Sequence, residues 1–118
     1  MGDLKLVKKF DVRDGFGGRY EKLVKEVGLP YQEDALNDRI EGAEKSHCIE
    51  NFRMAAEMLR TGKCGGEFYG MVFQDSDVAK WLEGAAYSLA QHADPELEKR
   101  CDEIIELIGQ AQHDDGYL

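Results

Sequence analysis

The stretch DVAKWLEGAAYSLA, at residues 77–90, places the strongest constraint on what this chain can fold into. Its apolar residues recur at helical spacing and form one stripe along one face: Val78, Trp81, Leu82, Ala85, Ala86 and Leu89. An amphipathic helix of this kind gains most of its stability by packing that stripe against other elements. The pattern therefore predicts a helix here and further helices that cover it.

Helix boundary signals divide the rest of the chain into similar segments. Residues 16–27 show helical periodicity, and Gly28 with Pro30 is expected to interrupt them before a short helical turn around residues 31–38. Ser46 is a plausible N-cap for the next helix, because a serine hydroxyl can accept a hydrogen bond from a free backbone N–H.

The other boundaries come from glycine, aspartate and proline. Gly62 suits the position just past the end of that helix. Asp94 followed by Pro95 is typical of a helix start, and Asp115 with Gly116 predicts the turn that ends the last helix. The apolar face of this last helix is expected to consist of Leu97, Cys101, Ile104, Ile105, Ile108 and Ala111.

Three stretches do not read as helices. Residues 4–12 alternate loosely and suggest a short strand or an extended arm, and residues 37–45 read as a loop. Residues 67–73, EFYGMVF, are apolar and aromatic, so we expect a buried connection. The fold class is predicted to be all-α, a single domain over residues 1–118 built from antiparallel helical hairpins with short connections.

Composition excludes several classes of function. The 118 residues carry a net charge of −9, which disfavours binding to nucleic acid or to an anionic membrane surface. No apolar run has the length of a transmembrane helix, and no signal peptide is recognisable. Three widely spaced cysteines fit a reducing compartment better than a disulfide framework, so we expect a cytoplasmic protein.

Two carboxylates at the start of the 77–90 helix are the first candidates for chemistry. Asp75 and Asp77 are close enough in sequence for acid–base work or for metal binding. Helix capping explains them equally well, and it is the commoner role of aspartate at such a position. Glu67 also has two interpretations: it could line a pocket, or, as is more common, it is a solvated acidic side chain in a loop.

The histidines and cysteines give no complete site. His47, His92 and His113 lack a second ligand at a metal-binding spacing, so a zinc site built from this chain alone is not expected. Cys48 and Cys101 lie in or beside apolar helix faces, where a buried inert thiol is the default. Cys64, between glycines, is the cysteine expected to be accessible.

The order of three motifs resembles a known family. KSHCIENFRMAA, then GEFYGMVFQDSDVAKWLEGAAYSLA, then DPELEKRCDEIIELIGQAQHDDGYL are similar to the N-terminal part of glycoside hydrolase family 127, the β-L-arabinofuranosidases. One departure is Ala79, where an aromatic residue is expected. The resemblance implies an (α/α)6 barrel and hydrolysis of β-L-arabinofuranosyl bonds with retention of configuration.

The resemblance also implies which groups catalyse the reaction. In this family the nucleophile is a zinc-bound cysteine, further cysteines and a glutamate bind the zinc, and a separate glutamate is the general acid/base. No part of residues 1–118 matches the paired-cysteine motif that carries them. We therefore expect no catalytic residue and no zinc ligand in this chain, and zinc only in full-length relatives. Gln74, Asp75 and Asp77 are expected to support carbohydrate binding.

The leading hypothesis is the N-terminal portion of a glycosidase that acts on β-L-arabinofuranosides or related plant glycans. Its alternatives are a free-standing helical module for binding or assembly, and a truncated product without a function. Helices that lose their later neighbours leave residues such as Ile104, Ile105, Leu107 and Ile108 short of partners. Self-association of the isolated chain, through the helix at 94–112, is therefore expected.

Overall fold

The computed structural model describes residues 12–118, which form five α-helices and one π-helical turn and contain no β-strand in that range. The helices are α1 (Gly15–Leu23), α2 (Leu29–Leu36), α3 (Cys48–Thr61), α4 (Asp75–Gln91) and α5 (Pro95–Ala111). The all-α prediction is confirmed. The strand or arm suggested for residues 4–12 lies outside the described residues, apart from Val12.

The expected interruption at Gly28 and Pro30 is wrong. A π-helical turn, Val24–Gly28, joins α1 to α2, and the backbone N–H of Leu29 donates to the carbonyl of Val24 five residues earlier. Proline has no N–H and would clash with the carbonyl four residues before it in a regular α-helix. The wider π-helical turn lies immediately before this position, so the chain continues as a helix through the proline.

The start of α3 differs from the prediction, whereas its end agrees. The N-cap is His47, in the left-handed conformation with φ of 56°, and Ser46 lies one residue before it. The Ser46 hydroxyl still accepts a hydrogen bond from the Cys48 N–H at 3.3 Å. Gly62 follows the helix with φ of 70°, a left-handed conformation that glycine adopts without penalty.

The two C-terminal helices begin at the acidic and proline residues that predicted their starts. Helix α4 starts at Asp75, directly after Gln74, and carries Asp75 and Asp77 in its first turn. The Asp94 carboxylate accepts from the Leu97 N–H at 3.1 Å, and Pro95 is the first residue of α5. A tight turn beyond α5 includes a hydrogen bond from the Gly116 N–H to the His113 carbonyl.

One core lies between α2, α3, α4 and α5. Trp81 of α4 is 3% exposed, and its indole Nε1 donates to the Leu29 carbonyl at 3.0 Å. Helix α3 packs mainly against α5, and α2 packs mainly against α4. The buried apolar residues are Leu29, Leu36, Cys48, Ile49, Phe52, Ala56, Val78, Trp81, Ala85, Leu97, Cys101, Ile104 and Ala111.

The predicted apolar faces are therefore correct at their centres and too wide at their edges. Ala86 of α4 and Ile105 of α5 are exposed, although both were assigned to buried stripes. Leu107 and Ile108 pack partly against the core. The buried strip is narrower than the apolar one because each helix packs against few neighbours in the described part of the chain.

A partly buried ion pair joins α2 to α5. Glu33 of α2 is 7% exposed, and its Oε2 lies 2.9 Å from Nε of Arg100 in α5. The Glu33 carbonyl also accepts from the Asn37 side chain at 2.9 Å. A carboxylate with so little solvent needs a partner, and Arg100 supplies it.

The connection between α3 and α4 contradicts the sequence expectation. Residues 67–73 were predicted to be buried, yet all of them are exposed, and Val72 reaches 87%. Its large apolar side chains exceed 40% exposure without exception: Phe68, Tyr69, Met71, Val72 and Phe73. Apolar composition was read as burial, but the described helices do not cover this segment.

Candidate functional site

A cleft of about 450 Å³ opens where the 37–47 loop meets the start of α4. Side chains of α2 and α4, among them Gln32 and Trp81, form one wall, and the loop forms the other. Polar groups outnumber large apolar ones around it. The full lining is Gln32, Ala35, Leu36, Asp38, Ile40, Ala43, Glu44, Lys45, Ser46, Cys48, Gln74, Asp77, Lys80 and Trp81.

Asp38 holds the loop wall of the cleft in shape. Its carboxylate accepts from the Ser46 N–H at 2.6 Å, from the Ser46 hydroxyl at 3.3 Å and from the His47 N–H at 3.0 Å. Asp38 has φ of 59°, a left-handed conformation that aspartate tolerates better than most residues. The carboxylate thus closes a loop of eight intervening residues and occupies the N-terminal end of α3, where negative charge is favourable.

The exposed connection before α4 is held by polar side chains. The amide of Asn51, itself buried, donates to the Tyr69 carbonyl at 2.9 Å and accepts from the Tyr69 N–H at 3.3 Å. The ring of Tyr69 lies over that of His47, with centroids 4.6 Å apart. Gln74 completes the set, because its Oε1 accepts from the Met71 N–H at 2.6 Å.

The three residues predicted to bind carbohydrate fall in different places. Gln74 and Asp77 line the cleft, whereas Asp75 does not. Asp77 lies 3.1 Å from Nζ of Lys80, which also lines the cleft. Asp75 is exposed in the first turn of α4, where its negative charge is favourable, although the N-cap is Gln74 and no side chain makes a capping hydrogen bond. Glu67 is exposed as well and does not line the cleft.

The three cysteines differ in exposure, and Cys48 is one of the two that are buried. Cys48 lies in the floor of the cleft and is 1% exposed. Burial raises the pKa of its thiol, the Ser46 hydrogen bond opposes this, and the charges of Asp77 and Asp38 raise the pKa further. Such a thiol is a poor nucleophile because little of it is ionised at neutral pH.

Of the other two cysteines, Cys101 is buried and Cys64 is exposed. Burial, with a smaller contribution from the Glu33 charge, raises the pKa of the Cys101 thiol. Cys64 is exposed, as the sequence predicted, and its Sγ donates to the Gly66 carbonyl at 2.6 Å. Neither position supplies an activated thiolate beside a base.

A zinc ion does not fit the donor groups of residues 12–118. No three histidine, cysteine, aspartate or glutamate side chains in that range come together as a ligand set. His47 stacks on Tyr69, and His92 lies 3.4 Å from Glu21. No mechanistic step through zinc is assigned to these residues.

Sequence reasoning missed the residues that organise the site. Asp38 binds backbone groups eight and nine residues further along the chain, Asn51 binds Tyr69 18 residues further along, and helical periodicity carries no information about such contacts. The one available signal was the Asn37-Asp38 pair at the end of a helical stretch, which is typical of a turn that hydrogen-bonds its own loop.

Comparison with known proteins identifies the family. The family model described as β-L-arabinofuranosidase, GH127 catalytic domain, matches residues 10–118. The chain belongs to this family. A non-reducing end β-L-arabinofuranosidase from Bifidobacterium longum subsp. longum is 46% identical over 112 residues. The crystal structure of a GH127 β-L-arabinofuranosidase from Geobacillus stearothermophilus T6 matches with a TM-score of 0.85 and 58% identity.

The matched GH127 proteins are much longer than this chain. The alignment with the Bifidobacterium enzyme covers 85% of this chain and 16% of that enzyme, and the Geobacillus structure is covered to 17% by 94% of this chain. The chain thus spans about one sixth of the relatives it matches and corresponds to their N-terminal part. No helix within residues 12–118 combines the length and apolarity that crossing a bilayer requires.

Proposed function

We propose that this chain is the N-terminal part of a catalytic domain that hydrolyses β-L-arabinofuranosyl bonds in carbohydrates. The observation that carries the proposal is the likeness to the Geobacillus GH127 β-L-arabinofuranosidase, with a TM-score of 0.85 at 58% identity. In this proposal the cleft between the 37–47 loop and the start of α4 lies at the sugar-binding end of the domain.

The cleft has the chemistry that a sugar needs. Gln74, Asp77 and Lys80 line the cleft with amide, carboxylate and ammonium groups of the kind that bind hydroxyl groups, and Trp81 is also part of the lining. Binding sites for small ligands combine a few such polar groups with an apolar wall. The groups that break the glycosidic bond are proposed to lie elsewhere in the domain, because Cys48 and Cys101 are buried and protonated.

A chimera tests the proposal directly. Residues 1–118 replace the matching segment of the Geobacillus enzyme, and hydrolysis of an aryl β-L-arabinofuranoside is measured beside the parent enzyme and the isolated chain. We expect an active chimera and a silent isolated chain. A well-folded chimera without activity would contradict the proposal and favour a free-standing helical module.

Two variants of the chimera test the role of the cleft. Asp77→Asn alters a residue that lines the cleft, and we expect it to raise KM more than it lowers kcat. Asp75→Asn is the matched control, because it changes the same group two residues away and outside the cleft lining. Equal effects on KM would show that both act through the start of the helix rather than on the sugar.

Two further expectations remain part of the proposal. We propose that the isolated chain self-associates, because many large apolar residues are exposed, including Ile105 at 56% in α5. Sedimentation velocity at micromolar concentration, with Ile105→Glu as the variant, tests this. Three free cysteines also suit a reducing, cytoplasmic location, which fractionation of the source cells would check.

A further inference from the structure

The exposed connection between α3 and α4 carries a run of exposed apolar side chains and leads into Gln74, which lines the cleft. Phe68, Met71, Val72 and Phe73 are exposed by 53%, 63%, 87% and 63%, respectively. No charged residue interrupts the sequence FYGMVF at 68–73. Apolar patches of this kind on soluble proteins mark surfaces that another protein element covers.

This surface, defined here as Phe68, Met71, Val72 and Phe73, is held away from the core of the described residues. The Asn51 side chain binds both backbone groups of Tyr69, and Gln74 binds the Met71 N–H. Collapse of the segment onto the described helices would break these hydrogen bonds. The bonds therefore hold the backbone of the segment at Tyr69 and Met71 before any partner arrives, which lowers the entropic cost of docking.

Gly70 reinforces the same geometry. Its φ is +101°, and an added Cβ would lie 1.7 Å from Oε1 of Gln74 and 3.3 Å from the Ser46 carbonyl oxygen. The backbone of the connection thus passes close to Gln74, the residue just before α4, and to Ser46 in the loop that forms one wall of the cleft. The surface is therefore attached next to two residues that line the cleft, Ser46 and Gln74.

The net charge of this chain and the greater length of its relatives together indicate which partner covers the surface. The self-association proposed above uses the apolar face of α5 and so supplies no occupant for this surface, and a second chain of net charge −9 would meet no cation on it. The Geobacillus structure reproduces this fold within a chain of which it is only 17%. The large remainder of such a catalytic domain is an occupant that needs no second molecule.

We propose that the Phe68–Met71–Val72–Phe73 surface docks against the remainder of a GH127 catalytic domain and thereby closes the neighbouring wall of the cleft. The inference rests on the proposed function, because that function supplies the partner. Asn51 and Gln74 act as positioning residues for the docking segment.

The test compares one substitution in two contexts, the isolated chain and the chimera with the Geobacillus enzyme. Val72→Glu places a charge on a side chain that the described residues barely contact. We expect it to leave the thermal unfolding midpoint of the isolated chain unchanged and to lower that of the chimera by several degrees, with a loss of activity. Val72→Thr keeps the shape, adds a hydroxyl and is expected to give a smaller shift in the same direction, which remains measurable if the glutamate variant does not fold.

Lys63→Glu is the control, because it adds a carboxylate to an exposed position of the same connection. It is expected to leave the thermal unfolding midpoint unchanged in the isolated chain and in the chimera, and the activity of the chimera unchanged. A chimera that tolerates both changes at Val72 would overturn the proposal, and if that chimera is active the proposed function would stand. If Val72→Glu abolishes self-association of the isolated chain and leaves the chimera unaffected, the occupant is a second copy and the proposal is wrong.

Discussion

Replacement of Trp81 by alanine should remove a large part of the stability of this helical unit. The side chain is 3% exposed and joins α4 to α2 through its hydrogen bond to the Leu29 carbonyl. Truncation of a buried tryptophan costs about 3–5 kcal/mol, because transfer free energy is lost and a cavity remains. The lost hydrogen bond contributes about 1 kcal/mol of this. Domains of this kind have a total stability of about 5–15 kcal/mol, so the loss would be easily measured.

The assay is urea unfolding followed by far-ultraviolet circular dichroism, since Trp81 is the only tryptophan and its removal abolishes tryptophan fluorescence. Trp81→Phe keeps most of the apolar area and should cost about 1–2 kcal/mol. Phe73→Ala is the control, because that aromatic side chain is 63% exposed, and it should change stability by less than about 0.5 kcal/mol. A loss below about 1 kcal/mol for Trp81→Ala would refute the assignment of this residue to the core.

Four other experiments have defined outcomes. Gly70→Ala should destabilise the chain by about 1–2 kcal/mol in the same urea assay, because φ of +101° disfavours alanine. Arg100→Met should cost about 2–3 kcal/mol by leaving the Glu33 carboxylate buried and unpaired, and the double variant with Glu33→Leu should recover part of that loss. Native alkylation should modify Cys64 rapidly and Cys48 only after unfolding, as peptide mass spectrometry would show. Because burial raises the pKa of Cys48 above the ordinary 9.0, stability should also fall as the pH rises past that value, and Cys48→Ala should weaken this fall.

The parts of the fold that were predictable depend on local signals. The stripe centred on Val78 and Trp81, the helix start at Asp94 and the helix end at Gly62 all follow from spacing or from backbone preferences of single residues. Each of these signals acts within about one helical turn. They survive unchanged in the structure because no distant contact opposes them.

The failures arise where a second segment decides the outcome. Pro30 is a helix breaker by local rules, but the preceding π-helical turn accommodates it. Ser46 is a good N-cap by local rules, yet the Asp38 carboxylate accepts from the N–H groups of Ser46 and His47, and the N-cap is His47, one residue later. Of the candidate site, Gln74 and Asp77 could be proposed from sequence, whereas the loop that faces them could not.

The exposed connection shows why apolar composition alone misleads. A run such as FYGMVF is read as buried because its side chains would gain free energy on leaving water. That gain requires a partner surface, and Asn51 and Gln74 hold the backbone where the described helices provide none. Apolar side chains left exposed in this way contribute little to the stability of the described unit by itself. The arrangement is understandable if the free energy is recovered against another part of the same domain, which also makes completion of the cleft depend on correct docking of this connection.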